Sequence, residues 1–288
     1  MKNYVIIGNS AAGIAAIEAI RQRDKESKIT VISNEGYLGY CRCLISYYLA
    51  RQIKEDKLLY RKENFYQENN IELLLNKKVS RVDPKKNRVV CEDKFQISYD
   101  QLLIATGASP KFPEIQGIKK KGVFGLRTIK DAKEIDGLLA VTRAAAVLGG
   151  GLVGLKAACA LKKRDVDVKV VIKSGQVLSQ MLDFEAASFV QKRLEENGIE
   201  VVLGEDVKEI IGEGEIRAVK LESGKTFEAS LIIVGKGVSP NIDLVREAGI
   251  KVNQGIIVNQ LLQTNVANIY ASGDVAEAFD LTTGKPAV

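Results

Sequence analysis

Two glycine-rich turns offer the plainest chemistry in this chain. Gly8-Asn9-Ser10-Ala11-Ala12-Gly13 and Gly149-Gly150-Gly151-Leu152-Val153-Gly154 each follow an apolar run and each open an Ala-rich run. Glycine at the first position permits a tight turn. A small residue at the third, Ser10 or Gly151, lets backbone approach a pyrophosphate, and glycine at the sixth, Gly13 or Gly154, lets helix and strand touch. The helix N-terminus behind such a turn presents unpaired N–H groups and a positive dipole end to phosphates. Ala11, Ala12, Leu152 and Val153 occupy that first turn of helix. The chemistry implied is the binding of two dinucleotides, although either turn by itself also suits a purely structural strand–helix junction.

The two turns differ in the strand ends that come after them. A carboxylate about 20 residues further on grips a ribose hydroxyl, and Glu35 lies 22 residues after Gly13, with Ser33 directly at the strand end. After the second turn the strand end reads Val171-Ile172-Lys173-Ser174, with no carboxylate. Lys173 and Ser174 suit a 2′-phosphate instead, so NADH and NADPH both stay open. Near the C-terminus, Gly273-Asp274 places a carboxylate after an apolar run. It suits a polyol hydroxyl such as the ribityl chain of a flavin, though Gly-Asp alone is a common turn.

The elements that must position these residues repeat. Residues 4–21 read as strand, turn and helix, followed by a strand at 29–32; residues 145–162 repeat the pattern at an offset of 141, followed by a strand at 168–172. A second echo relates 102–110, which contains Ala105-Thr106-Gly107, to 232–240, which contains Gly237, at an offset of 130. Each is an apolar run ending in glycine and then Ser-Pro. Short alternating runs at 79–82, 88–90 and 95–97, and again at 217–221 and 226–229, predict small antiparallel ribbons. The fold class predicted is α/β: two interleaved, doubly wound Rossmann-like dinucleotide-binding domains of the three-layer ββα type.

Composition sets the outer limits. The 288 residues hold two domains of ordinary size, and 46% hydrophobic with 27% charged residues is ordinary for a soluble protein. No apolar run approaches the roughly 18 residues of a membrane span. A strand-like run begins almost at Met1, so no cleaved signal peptide is expected and the cytoplasm is the default compartment. The net charge of +6 is spread along the chain, and its densest run, Lys119-Lys120-Lys121, reads as a solvated turn. No nucleic-acid partner is expected. Cys41, Cys43, Cys91 and Cys159 are too few and too scattered for a disulfide framework, and with no histidine a metal site has no support.

Together these residues resemble the FAD-dependent pyridine nucleotide–disulfide oxidoreductase superfamily. The resemblance rests on the first fingerprint, Ala105-Thr106-Gly107, Leu126-Arg127-Thr128 with Asp131-Ala132, the second fingerprint, and Tyr270-Ala271-x-Gly273-Asp274, all in the family's order. It implies that the first fingerprint and Gly273-Asp274 hold FAD and that the second fingerprint holds NADH or NADPH. Arg42, Val79 and Gly237 join the expected cofactor-binding residues with Glu35 and Lys173. The implied domains are an FAD domain from 1–109 and 234–288, with a nicotinamide domain at 110–233 between them. Relatives continue past the position of Val288 with a final FAD-domain helix and a dimerisation domain, so the resemblance gives no oligomeric state for this chain.

The branch is set by what faces the flavin. The paired-cysteine spacings of glutathione-reductase and thioredoxin-reductase types do not occur. Arg42, Ile45 and Ser46 resemble rubredoxin reductases, ferredoxin reductases and the flavin half of nitrite reductases, while Cys43 falls where coenzyme A-disulfide reductases and NADH peroxidases or oxidases carry one redox cysteine. Cys43 is therefore a candidate thiolate beside Arg42, or a small residue packed on the flavin. Cys91 and Cys159 are expected in the core. Many relatives have a glutamate facing the flavin where this chain has Lys156, and a lysine where it has Tyr47. Lys156 is expected either to stabilise negative charge on the reduced flavin or to turn to solvent or a neighbouring carboxylate. Three functions are consistent with these residues: an FAD-dependent NAD(P)H oxidoreductase feeding a small electron-transfer protein such as rubredoxin; a single-cysteine oxidase, peroxidase or CoA-disulfide or persulfide reductase using Cys43; or a non-catalytic FAD-binding subunit of a larger complex.

Overall fold

Alternation along the strand Asn3–Ile7 sends Val5 and Ile7 to one face and Ile6 to the other, and all three are buried. A strand with two apolar faces must be covered on both, as in a doubly wound sheet. In the computed structural model of the chain, which describes residues 1–280 and 282–287, that cover is present. Val5 and Ile7 pack with Val79, Val82, Val89 and Cys91, whereas Ile6 packs with Ile14 and Ile17 of the helix Ala11–Arg23 and with Phe65 and Tyr66. Each fully buried side chain of this size contributes about 1.5–3 kcal/mol relative to exposure.

The chain divides into two units, one of Met1–Cys41, Leu59–Ser109 and Ser239–Val288, the other of Arg42–Leu58 and Pro110–Val238. The sheet of the first unit has the order Ile269–Ala271, Gln101–Ile104, Asn3–Ile7, Lys28–Ile32, Ile71–Leu74, and every pairing is parallel. An antiparallel sheet of Val79–Asp83, Arg88–Cys91 and Gln96–Ser98 interrupts the chain between its third and fourth strands in sequence. The helix Ala11–Arg23 ends in a buried guanidinium. Arg21 donates to the carbonyls of Asp24, Ser27, Asn69 and Asn70, so four acceptors compensate one charge taken out of water.

The second unit repeats the arrangement. Its parallel sheet has the order Ile199–Leu203, Asp167–Ile172, Ala144–Leu148, Leu231–Val234, Val123–Phe124. Its antiparallel sheet, Val207–Ile211, Ala218–Leu221 and Thr226–Glu228, again lies in sequence just before the strand that rejoins the centre. Val207, Ile210, Val219 and Leu221 pack on Ala146, Leu148, Ile232 and Val234, forming the second layer pair. The strand Val207–Ile211 escaped the sequence reading because Lys208 and Glu209 break its alternation at a register shift. The helix Ile129–Leu139 starts with a capping box, in which Thr128 and Asp131 exchange hydrogen bonds. That box gives Thr128 and Asp131 a structural role at the helix start.

The two units divide the chain differently from the expected domains at two places. Residues 42–58, assigned to the first domain, group with the second unit, and so do 234–238. Polar contacts tie the first of these segments to the second unit. Arg164 Nη1 donates to Leu49 O at 2.9 Å and pairs with Asp136, and Lys133 pairs with Glu55. No helix among the described residues is long and apolar enough to cross a membrane.

Candidate dinucleotide-binding sites

In the first unit, Gly8 has φ +121°, and a Cβ there would lie 2.0 Å from Ala105 O; a Cβ on Gly13 would lie 2.1 Å from Gly8 O. The turn is thus closed against the strand beside it and against its own helix, and only glycine fits either place. Ser10 occupies the helix N-cap without using its side chain as a cap, so the first N–H groups of Ala11–Arg23 receive no capping bond from it. Gly273, at φ +76°, sits with Ala12 Cβ 3.2 Å from where its own Cβ would be. Gly273-Asp274 therefore abuts the same helix start, and the fold assembles four separate sequence signals, Gly8–Gly13, Glu35, Ala105–Gly107 and Gly273-Asp274, in one unit. The cradle fits a pyrophosphate: closed backbone, small side chains and a helix start.

Side chains around this cradle are pinned. Tyr40 donates its hydroxyl hydrogen to Glu35 Oε2 at 2.5 Å. Tyr66 accepts from Gly39 N at 3.0 Å and donates to Asn9 Oδ1 at 2.6 Å, and its burial pushes the phenol pKa up. Thr106 Oγ1 donates to Asn241 O, while Asn241 Nδ2 returns a bond to Thr106 O and Ser109 Oγ donates to Asn241 Oδ1. Asn241 was not singled out in the sequence; its signal is its place directly after the second Ser-Pro. Val79 has its side chain in the core, so only its backbone is left for a cofactor.

The second unit holds the same turn. Gly149 has φ +114°, with Gly235 O 2.4 Å from a built Cβ, and a Cβ on Gly154 would lie 2.3 Å from Gly149 O. Gly151 is the N-cap of Leu152–Lys162 and faces open space, and Leu152 and Val153 are exposed beside it. This turn also fits a pyrophosphate. Gly237, at φ +87°, is exposed and accepts from Lys111 N. At the strand end Lys173 is exposed and reaches Asp206 Oδ2 at 3.8 Å, while Lys236 pairs with Asp206 Oδ1. Ser174 turns its hydroxyl to Gln176 O. Asp206 and Lys236 were missed because they come from two other strand ends, far off in sequence.

Arg42, Cys43, Tyr47 and Lys156 all fall in the second unit. Lys156 Nζ donates to Cys43 O at 2.8 Å and stands 4.9 Å over the Tyr47 ring. A cation–π contact thus joins the two positions at which relatives were expected to carry an ion pair. Arg42 Nη1 donates to Arg127 O at 2.9 Å. All four cysteines are free thiols; Cys43 is exposed and Cys91 buried, the latter with its pKa raised by burial. Cys159 corrects the core expectation: it is exposed, because Leu152–Lys162 turns Ala157, Ala158 and Leu161 inward instead.

Residues 2–286 match the family described as pyridine nucleotide-disulphide oxidoreductase. An NADH oxidase of Methanocaldococcus jannaschii is 39% identical, covering 98% of this chain and 64% of that relative. The assimilatory nitrate reductase electron transfer subunit of Bacillus subtilis is 36% identical, covering 96% of this chain and 36% of its own length. Among solved structures, an NAD-dependent persulfide reductase from A. fulgidus superposes with a TM-score of 0.94 at 33% identity, over 99% of this chain and 55% of that one. The chain therefore spans about two thirds or less of these proteins.

Proposed function

This chain belongs to the pyridine nucleotide-disulphide oxidoreductase family, and from that premise we propose that it is an FAD-dependent NAD(P)H oxidoreductase delivering electrons to a small redox protein such as rubredoxin. The first unit holds FAD and the second holds the nicotinamide dinucleotide. The observation that carries this reading is the pair of phosphate turns with one backbone geometry, one turn in each unit. Bound FAD would supply the hydride-accepting and electron-releasing chemistry. The chain's own residues bind and orient: Gly8–Gly13 seats a pyrophosphate, Glu35 takes ribose hydroxyls with Tyr40 fixing its carboxylate, and Asp274 takes the ribityl chain. A protein acceptor agrees with the electron-transfer role in the name of the Bacillus subtilis relative.

A second reading is favoured by one observation. Cys43 is exposed and its carbonyl is held by Lys156, and the persulfide reductase and NADH oxidase are among the similar proteins. In that reading the Cys43 sulfur attacks a peroxide, disulfide or persulfide, the O–O or S–S bond breaks with hydroxide or a thiolate leaving, and the two electrons that return Cys43 to the thiol would come from NAD(P)H by way of bound FAD. Anaerobic stopped-flow mixing of FAD-loaded protein with NADH and with NADPH tests the common premise, since bleaching of the flavin band is expected with at least one of them. If neither bleaches it, the reductase reading fails. Cys43→Ser then separates the two acceptors. Rubredoxin reduction should survive the substitution, and its collapse would put the thiol reading first.

A further inference from the structure

The carboxylate that grips an unphosphorylated ribose is missing after Ile172, and the structure puts a charged cluster there instead. Ile172 is the right place to look, since its Cδ1 lies 2.6 Å from where a Cβ on Gly150 would stand. The strand end thus touches the phosphate turn. The neighbouring strand end is tied to it, with Gly204 N donating to Ser174 O and Glu205 N to Ile172 O. This tie brings Asp206 beside Lys173. From the other side of the central strand, Gly235 closes against Gly149 and the next residue, Lys236, pairs with the same carboxylate.

The two lysines do not share Asp206 equally. Lys236 and Asp206 have side chains only 22% and 15% exposed and are in close contact, and Asp206 Oδ1 is also fixed by Val207 N at 2.8 Å. A half-buried, close pair is screened little by salt. Lys173 is 75% exposed and stands 3.8 Å from the other oxygen, a contact that costs little to leave. Glu205, the other carboxylate on this strand end, accepts from Ser223 N. The cluster of Lys173, Asp206 and Lys236 therefore carries one net positive charge, and its loosest member is the one at the strand end beside the phosphate turn.

We propose that this cluster sets the nicotinamide specificity of the second site and selects the dinucleotide bearing a 2′-phosphate. Lys173 is the group that meets the phosphate. Lys236 is a positioning residue: by neutralising Asp206 it leaves the Lys173 ammonium available. Without Lys236, Asp206 would hold Lys173 as an ion pair and the advantage of a phosphomonoester over a hydroxyl would vanish. This inference rests on the second site being a nicotinamide dinucleotide site.

Titration calorimetry of the FAD-loaded protein with adenosine 2′,5′-bisphosphate and with 5′-AMP reads the selectivity without any turnover. The bisphosphate is expected to bind about tenfold or more tightly than 5′-AMP at low salt, with the ratio falling as salt rises. Lys173→Met and Lys236→Met should each bring the ratio near one, Lys236→Arg should restore it, and Asp206→Asn should raise it. A wild-type ratio near one, or a ratio indifferent to Lys236→Met in protein that retains FAD and its melting temperature, overturns the proposal while 5′-AMP binding keeps the site. If neither ligand binds, the nicotinamide site itself is refuted and the proposal falls with it.

Discussion

The two phosphate turns share a backbone and differ in the side chains set beside them. Gly8 and Gly149 adopt φ +121° and +114°, and in each case a neighbouring strand's carbonyl fills the place of a Cβ. Beside the first turn stands Glu35, fixed by Tyr40; beside the second stand Lys173, Asp206 and Lys236. In the proposed reading, backbone N–H groups would recognise what the two dinucleotides have in common, a pyrophosphate. Side chains at the neighbouring strand ends would recognise what separates them, and those are the positions at which the repeated units diverge.

The strongest way to break this comparison is at its shared glycines. Gly8→Ala and Gly149→Ala each force a Cβ onto a carbonyl oxygen at positive φ, a strain of about 3 kcal/mol. Gly8→Ala is expected to strip FAD from the purified protein, whereas Gly149→Ala should retain FAD and lose the nicotinamide dinucleotide; FAD content and melting temperature report both. Equal loss of FAD in the two variants would end the one-cofactor-per-unit assignment. Next in size is Glu35→Ala, which removes a charged acceptor and should weaken FAD binding by about tenfold, or about 1.4 kcal/mol, read by fluorescence titration of apoprotein. An unchanged affinity would mean that Glu35 takes no part in FAD binding.

The smallest effect concerns acid stability, where the units again differ in means. In the first, Glu277 is buried, which alone would raise its pKa, but bonds from Gly255 N, Asn253 Nδ2 and Gln254 N win and lower it. In the second, partial burial of Asp136 is likewise outweighed by Arg164 and Arg51. A carboxylate with a depressed folded pKa stabilises above its ordinary value, near pH 4, and that contribution disappears as pH falls through the folded value. Glu277→Gln and Asp136→Asn should therefore lower the melting temperature at neutral pH, with the difference from wild type shrinking below about pH 4. A difference that persists undiminished at pH 3 would show that packing rather than charge is lost.

Much of the fold was legible because its signals are local. Gly8–Gly13 and Gly149–Gly154 demand a backbone that few residues permit, and buried parallel strands such as Leu231–Val234 are apolar without interruption. Repetition at fixed offsets then disclosed two copies of one unit. The ribbon strand Val207–Ile211 was illegible, since a register shift hides its alternation. Cys159 was misplaced, since in a helix this rich in alanine the pattern does not say which face is inward.

The sequence by itself determined the α/β class and the two glycine-rich strand–helix turns, because backbone sterics act between neighbours in the chain. Only the tertiary structure decided that Arg42–Leu58 groups with the second unit, that Lys156 holds Cys43 and covers Tyr47, and that Asp206 stands between Lys173 and Lys236. Each of those is a charge finding its partner across a long loop of chain. Coulomb attraction and hydrogen bonding depend on distance in space, which spacing along a sequence does not encode until the sheets have fixed it.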